Sequence, residues 1–253
     1  MKSPTPARRF GWTPDRPDHR DLRFTAALSL IKKLPPKVDW TSRCPAVYDQ
    51  GQLGSCTANA IAGAIEFDRL KQGKPDFTPS RLFIYYNERV LEHSVESDAG
   101  AALRDGIKSV ATRGDCPEPE WPYAVAKFAV KPPAACYRDA LKYKAVGYRR
   151  IGHDVTQMKG CLAGGYPFVF GVSVYENFPM QTQTGDIPLP GNASALGEGH
   201  AMLCVGYDDS RRVFLIRNSW GTGWGRRGYG TIPYEYLMNP GLSDDFWTIQ
   251  LVL

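Results

Sequence analysis

Gln50-Gly-Gln-Leu-Gly-Ser-Cys-Thr-Ala-Asn-Ala-Ile-Ala-Gly-Ala-Ile-Glu-Phe-Asp-Arg-Leu-Lys71 is a glycine-broken turn that runs directly into an apolar stretch. Ala60, Ala64, Phe67 and Leu70 recur at three- and four-residue intervals, with Ile61 and Ile65 beside them, which predicts a helix over 56–71. Ser55 stands where an N-cap is expected and Gly73 where the helix would stop. Cys56 therefore falls in the first turn, where the helix dipole favours an anion. A thiol attacks a carbonyl as its thiolate, so this position suits a nucleophilic cysteine.

Outward from this helix, the pattern predicts two more helices, around 79–92 and 100–113. From about residue 143 it changes to strands: Pro167–Tyr175, His200–Tyr207, Val213–Arg217 and Gly228–Ile232 are apolar runs bounded by Gly, Asp and Asn. A helical first half and a strand-rich second half predict an α+β protein of two lobes. The stretch 24–34 has the spacing of a short amphipathic helix ended by Pro35-Pro36, and Asp154 opens another helix.

Four histidines are present, and only His200 begins an apolar strand behind a glycine-rich approach, Gly197-Glu-Gly-His200. A strand holds an imidazole rigidly, as a general base requires. Asn218, in Arg217-Asn-Ser-Trp-Gly-Thr-Gly-Trp-Gly225, offers a side-chain carbonyl that would hold one ring nitrogen and leave the other for a thiol. Trp220 would shelter that bond from water. Taken singly, each residue also has a structural reading: a cysteine opening a helix, a core histidine, an Asn/Gly turn between strands.

Three segments together are similar to the papain family of cysteine peptidases: Gln50–Cys56, then Gly199-His-Ala-Met-Leu-Cys-Val-Gly-Tyr207, then Asn218–Gly225 with Gly228-Tyr229. His200 follows Cys56 by 144 residues and Asn218 by 162, close to the family spacing of roughly 130–150 and slightly long at the Asn. The resemblance covers 38–253. It implies a helical left lobe (mainly 50–142) and a β-barrel-like right lobe (mainly 143–236), with a C-terminal segment closing the fold and a cleft between the lobes. It implies Cys56 as nucleophile, His200 as base, Asn218 orienting the base, and Gln50 serving the oxyanion hole with the Cys56 N–H. Substrate contacts are expected at Gly100, Ala101, Ala102, Gly171 and Ala201, with Trp220 and Trp224 completing the set and Glu198 close by. The implied reaction is peptide-bond hydrolysis through a thioester, on a peptide or protein substrate, by a monomer needing neither metal nor cofactor. Acyl transfer or isopeptide chemistry on the same triad, or a catalytically silent scaffold of the same fold, are the rival functions.

The sequence departs from the family in four places. Leu53 and Ser97 replace both halves of a family disulfide, Thr57 replaces an aromatic after the nucleophile, and Gly199 replaces an acid before the histidine. Six cysteines, with no CxxC and no HExxH, do not read as a zinc site, and their pairing is left open.

Charge divides the 253 residues unevenly. Residues 1–33 hold eight basic and three acidic side chains and carry the whole net charge of +5, so the body is balanced and lacks the basic face that nucleic-acid binding needs. No window reaches the roughly 18 consecutive apolar residues of a membrane span. The basic N-terminus lacks the apolar stretch of a secretory signal, which points to a cytoplasmic chain or export by another route. Residues 1–37 are shorter than a family propeptide. They are expected either to fold over the body and cover the cleft, with Trp12, Phe24 and Leu34 as anchors, or to be a solvated leader.

Overall fold

The computed structural model describes residues 9–253. The part of the basic leader at Lys2 and Arg8 lies outside the described residues. In chain order the elements are α1 (Leu28–Ile31), β1 (Lys37–Asp39), α2 (Cys56–Lys71), α3 (Arg81–Leu91), α4 (Leu103–Thr112), α5 (Ala134–Ala140) and β2 (Ala145–Arg150). Then follow α6 (Val155–Ala163), β3 (Phe168–Tyr175), β4 (Ala195–Asp208), β5 (Val213–Arg217), β6 (Tyr229–Pro233), α7 (Tyr234–Met238) and β7 (Ser243–Val252).

The fold is α+β. Seven antiparallel strands run in the order β2-β7-β3-β4-β5-β6, and β1 pairs with β4. Alternation along the strands separates two cores: Val169, Leu203 and Val205 face α2, while Phe168, Phe170, Met202 and Cys204 face the other way. α2 lies between α3 and α4 on one side and β4 and β7 on the other, and is buried along almost its whole length. Small residues permit this. A Cβ on Gly63 would come within 2.3 Å of the Arg217 guanidinium.

α2 ends as its sequence predicts. Gly73 takes a left-handed φ of 67°, its N–H reaches the Leu70 carbonyl, and Lys74 N–H reaches the Arg69 carbonyl, the double closure of a Schellman cap. The start differs. Ser55 occupies the cap position without a side-chain cap bond; its hydroxyl pairs with Tyr123 at 2.5 Å and accepts from Asn59 at 3.1 Å. Asp154 does cap α6, accepting from the Thr156 and Gln157 amides.

The helix expected over 24–34 is only the four residues of α1. Phe24 N–H donates to Arg150 O, and Arg150 N–H to Leu22 O, so the preceding chain is extended along the edge of β2. β7 also exceeds expectation: it lies inside the sheet between β2 and β3. No helix among the described residues is long and apolar enough to cross a membrane.

Candidate active site

Cys56 opens α2 and is fully buried. Burial pushes its thiol up to about 12, against backbone hydrogen bonds from Ala201 and Gly11 that pull it down. The contact with Ala201 brings the sulfur beside the residue that follows His200. His200 lies on β4 opposite Val172 of β3. Its Nε2 is 2.8 Å from Asn218 Oδ1, which also accepts the Ser219 N–H at 2.8 Å. That amide identifies the Asn218 atom as the oxygen, so the imidazole Nε2–H donates. Trp220 stacks on the imidazole at 4.8 Å and 29°, and Phe178 meets its edge. Asn218 sits just past β5, its own N–H held by Gly228 O.

Gln50 is buried across from this pair. Its N–H donates to Ser219 O, its Oε1 accepts the Ser219 hydroxyl at 2.6 Å, and its Nε2 donates to Leu53 O at 2.8 Å. The same Nε2 donates to the carbonyl of Arg9 at 3.1 Å, so a peptide carbonyl from the leader occupies the amide expected to serve an oxyanion.

The leader crosses the cleft at Phe10-Gly11-Trp12. Gly11 and Trp12 N–H both donate to Gly199 O, Ala101 N–H donates to Gly11 O at 2.7 Å, and Thr13 N–H donates to Ala101 O. Gly11 fits between two glycines: a Cβ on it would lie 1.8 Å from Gly54 O, and one on Gly100 would lie 2.1 Å from Gly11 O. Phe10 packs on His200 at 5.7 Å and on Trp220 at 6.0 Å. The Trp12 indole covers Gly171 and Gly199, and its Nε1 donates to Asp245 Oδ2 at 3.1 Å.

Gly100, Ala101, Gly171 and Ala201, named from sequence, thus gather around the leader or the thiol. Ala102 shares a pocket with Thr13, Pro14 and Asp15 of the leader. Ala102 turns its N–H to Glu92 and opens α4, while Trp224 stands behind Trp220 with its indole N–H on Pro179 O. Glu198 is exposed. Of the expected anchors Trp12 is buried, whereas Phe24 and Leu34 are partly buried. Sequence reasoning missed Arg9, Phe10, Phe178, Ser219 and Asp245 as members of the site. Only Phe10-Gly11-Trp12, a glycine between two aromatics, carried a local signal.

Two sequence departures acquire a physical account here. Thr57 donates its hydroxyl to Glu88 Oε1 at 2.6 Å, and burial holds the Glu88 carboxyl well above the ordinary range. Leu53 is buried in the core and Ser97 O accepts from Arg89, so packing and a hydrogen bond stand where the family has a disulfide. Among the described residues one group, Cys116, Glu120 and Cys136 in the helical lobe, brings potential metal-ligand atoms within 4.8 Å of one another.

A helix-borne cysteine, a strand-borne histidine on an asparagine, and a buried glutamine converge in one cleft, and the sequence profile of papain family cysteine proteases matches residues 34–239. The chain belongs to the papain family of cysteine proteases. Its solved relatives include xylellain, a cysteine protease from Xylella fastidiosa, at 49% identity and TM-score 0.91 over 96% of each chain. A peptidase C1-like protein of Acanthamoeba polyphaga mimivirus is 39% identical over the whole of this chain and 90% of its own length. A cathepsin L-like proteinase of Fasciola hepatica is 27% identical, the match spanning 78% of this chain and 60% of that protein. Procathepsin L 3 of Tenebrio molitor, at 21% identity and TM-score 0.68, shares the fold. The protein is accordingly a papain-like hydrolase of the cysteine protease type.

Proposed function

We propose that this papain-family protease cleaves peptide bonds with Cys56 as nucleophile, and that the described form is latent, its cleft filled by its own leader. The observation that carries the catalytic assignment is the His200–Asn218 hydrogen bond beneath Trp220, on the strand whose next residue touches the Cys56 sulfur. In the open cleft the thiolate, paired with imidazolium His200, attacks the substrate carbonyl. The Gln50 amide and the Cys56 N–H hold the oxyanion, and His200 protonates the leaving amine. His200 then takes a proton from water as it attacks the thioester, releasing the acid and restoring the thiol.

Latency follows from three contacts. The Arg9 carbonyl binds the Gln50 amide, Gly11 is wedged between Gly54 and Gly100, and Trp12 covers Gly171 and Gly199. Burial beneath the leader disfavours the thiolate form of Cys56.

Labelling by an epoxide inhibitor of the E-64 type, mapped by peptide mass, tests both parts. The expected result is one adduct on Cys56, lost in His200→Ala, forming faster once residues 1–37 are removed or Trp12 is replaced by Ala. Equal labelling rates with the leader intact and released would reject latency. No adduct in any folded, reduced form would reject the catalytic assignment and favour a silent scaffold.

A further inference from the structure

Away from the cleft, Cys116 and Cys136 are both buried, and their sulfurs lie within 4.8 Å of one another. Cys116 precedes Pro117, with its carbonyl accepting the Ser80 N–H; Cys136 lies in α5, with its sulfur 3.6 Å from Glu120 O, in a residue whose side chain is exposed. The two thiols are not equivalent. Burial raises both thiols, and the neighbouring Asp115 carboxylate raises Cys116 further.

The segment these cysteines enclose props the catalytic turn. Tyr123 donates to Gln50 O at 2.9 Å and shares a hydrogen bond with the Ser55 hydroxyl, placing one phenol against residues on both sides of the Gln50–Cys56 turn. Trp121 O accepts the Ser80 hydroxyl at 2.7 Å, and Glu118 pairs with Arg81 at 2.6 Å.

We propose that Cys116 and Cys136 form a disulfide by exchange with a low-molecular-weight disulfide, clamping the base of the loop that supports the Gln50–Cys56 turn. The pair lies elsewhere than the family disulfide position now held by Leu53 and Ser97. Cys136 gives up its proton to solvent and attacks the small disulfide as its thiolate, forming a mixed disulfide and expelling one small thiolate, which takes up a proton in place of the one Cys136 released. Cys116 then loses its proton and attacks the Cys136 sulfur, expelling the second small thiolate, which takes the Cys116 proton, so two electrons and two protons pass from the protein to two small thiols.

The test uses the full chain carrying Cys56→Ala, which removes the nucleophile from the thiol count without touching this pair. The protein is equilibrated across a series of reduced and oxidised glutathione, alkylated, and analysed by intact mass, peptide mapping and thermal melting. The expected result is a 116–136 cross-linked peptide and a mass lower by two hydrogens. The melting temperature should rise by roughly 5–10 °C in the oxidised form, an increase absent from Cys116→Ser/Cys136→Ser. Alkylation of both cysteines throughout the series would overturn the proposal. So would stoichiometric zinc protecting the two thiols until a chelator is added, which would make the cluster with Glu120 a metal site. If the serine variants do not fold, the mapping of the unmutated pair still decides.

Discussion

Trp12 is the residue on which closure of the cleft rests most heavily. Its indole is 6% exposed, lies on two glycines and spends its N–H on Asp245. Removing a buried indole costs about 3–5 kcal/mol, and here that loss falls on the closed state. Trp12→Ala is expected to raise the rate of Cys56 labelling by about 10²-fold or more, up to the rate of the leaderless enzyme; an unchanged rate would show that other contacts hold the leader. Among the proposed catalytic residues, Asn218→Ala should lower kcat on the order of 10²-fold with little change in KM, because it leaves the imidazole in place but unoriented. Gln50→Ala should cost about 10²–10³-fold in kcat if its amide serves the oxyanion, as steady-state kinetics on the opened enzyme will read.

At the scale of an element, α2 is a helix whose polar side chains are buried with its apolar ones. Glu66 lies under Tyr48, and burial raises its carboxyl to about 7 although the Tyr48 hydroxyl bonds it. A carboxyl that protonates more readily in the fold than in the unfolded chain adds stability that is full below its ordinary 4.5 and is lost as pH rises through about 7. The loss is on the order of 3 kcal/mol. The urea midpoint should therefore fall between pH 5 and 7.5, and Glu66→Gln should flatten that slope; an equal slope in the variant would assign it elsewhere. Glu92, which accepts the Ala102 N–H, is also raised to about 7 by burial and contributes in the same direction.

Across the whole molecule, the leader is fastened by a buried charge cluster as well as by the cleft. Asp15 accepts the Arg104 N–H and the Trp247 indole N–H and lies 3.4 Å from Arg150; Asp21 pairs with Arg104 at 2.6 Å. Arg150 also holds Asp245 at 2.8 Å. Leader, α4, β2 and β7 thus meet at one network whose charges are largely shielded from solvent. Removing one partner of a buried pair costs about 3–5 kcal/mol because the other charge is left uncompensated. Arg150→Ala is expected to lower the melting temperature and to speed Cys56 labelling together. A drop in stability with labelling unchanged would separate the network from closure.

The helix that Cys56 opens was legible because its signals are local. Apolar residues at helical spacing, Gly73 at the stop and Cys56 at the first turn all lie within one short stretch, and the His200 strand and the Asn218 turn are equally self-contained. Contacts between distant segments were not legible. Nothing in the apolar pattern of β7 marks it as lying between β2 and β3, and nothing around Ser55 says that its hydroxyl will leave the cap for Tyr123. Glu88 reads as one more charge on α3 until the fold sets it beside Thr57. The leader is the sharpest case. Its two aromatics and the glycine between them are visible in the chain, but their place follows from Gly54, Gly100, Gly171 and Gly199 being brought around one channel. Backbone periodicity and turn chemistry act between near neighbours, so the chain alone sets the helix, strand and turn that present Cys56, His200 and Asn218. Only the tertiary structure decided that Arg9 reaches Gln50 and Trp12 covers the cleft, because hydrogen bonding and close packing between segments far apart in the chain depend on where the whole fold brings them.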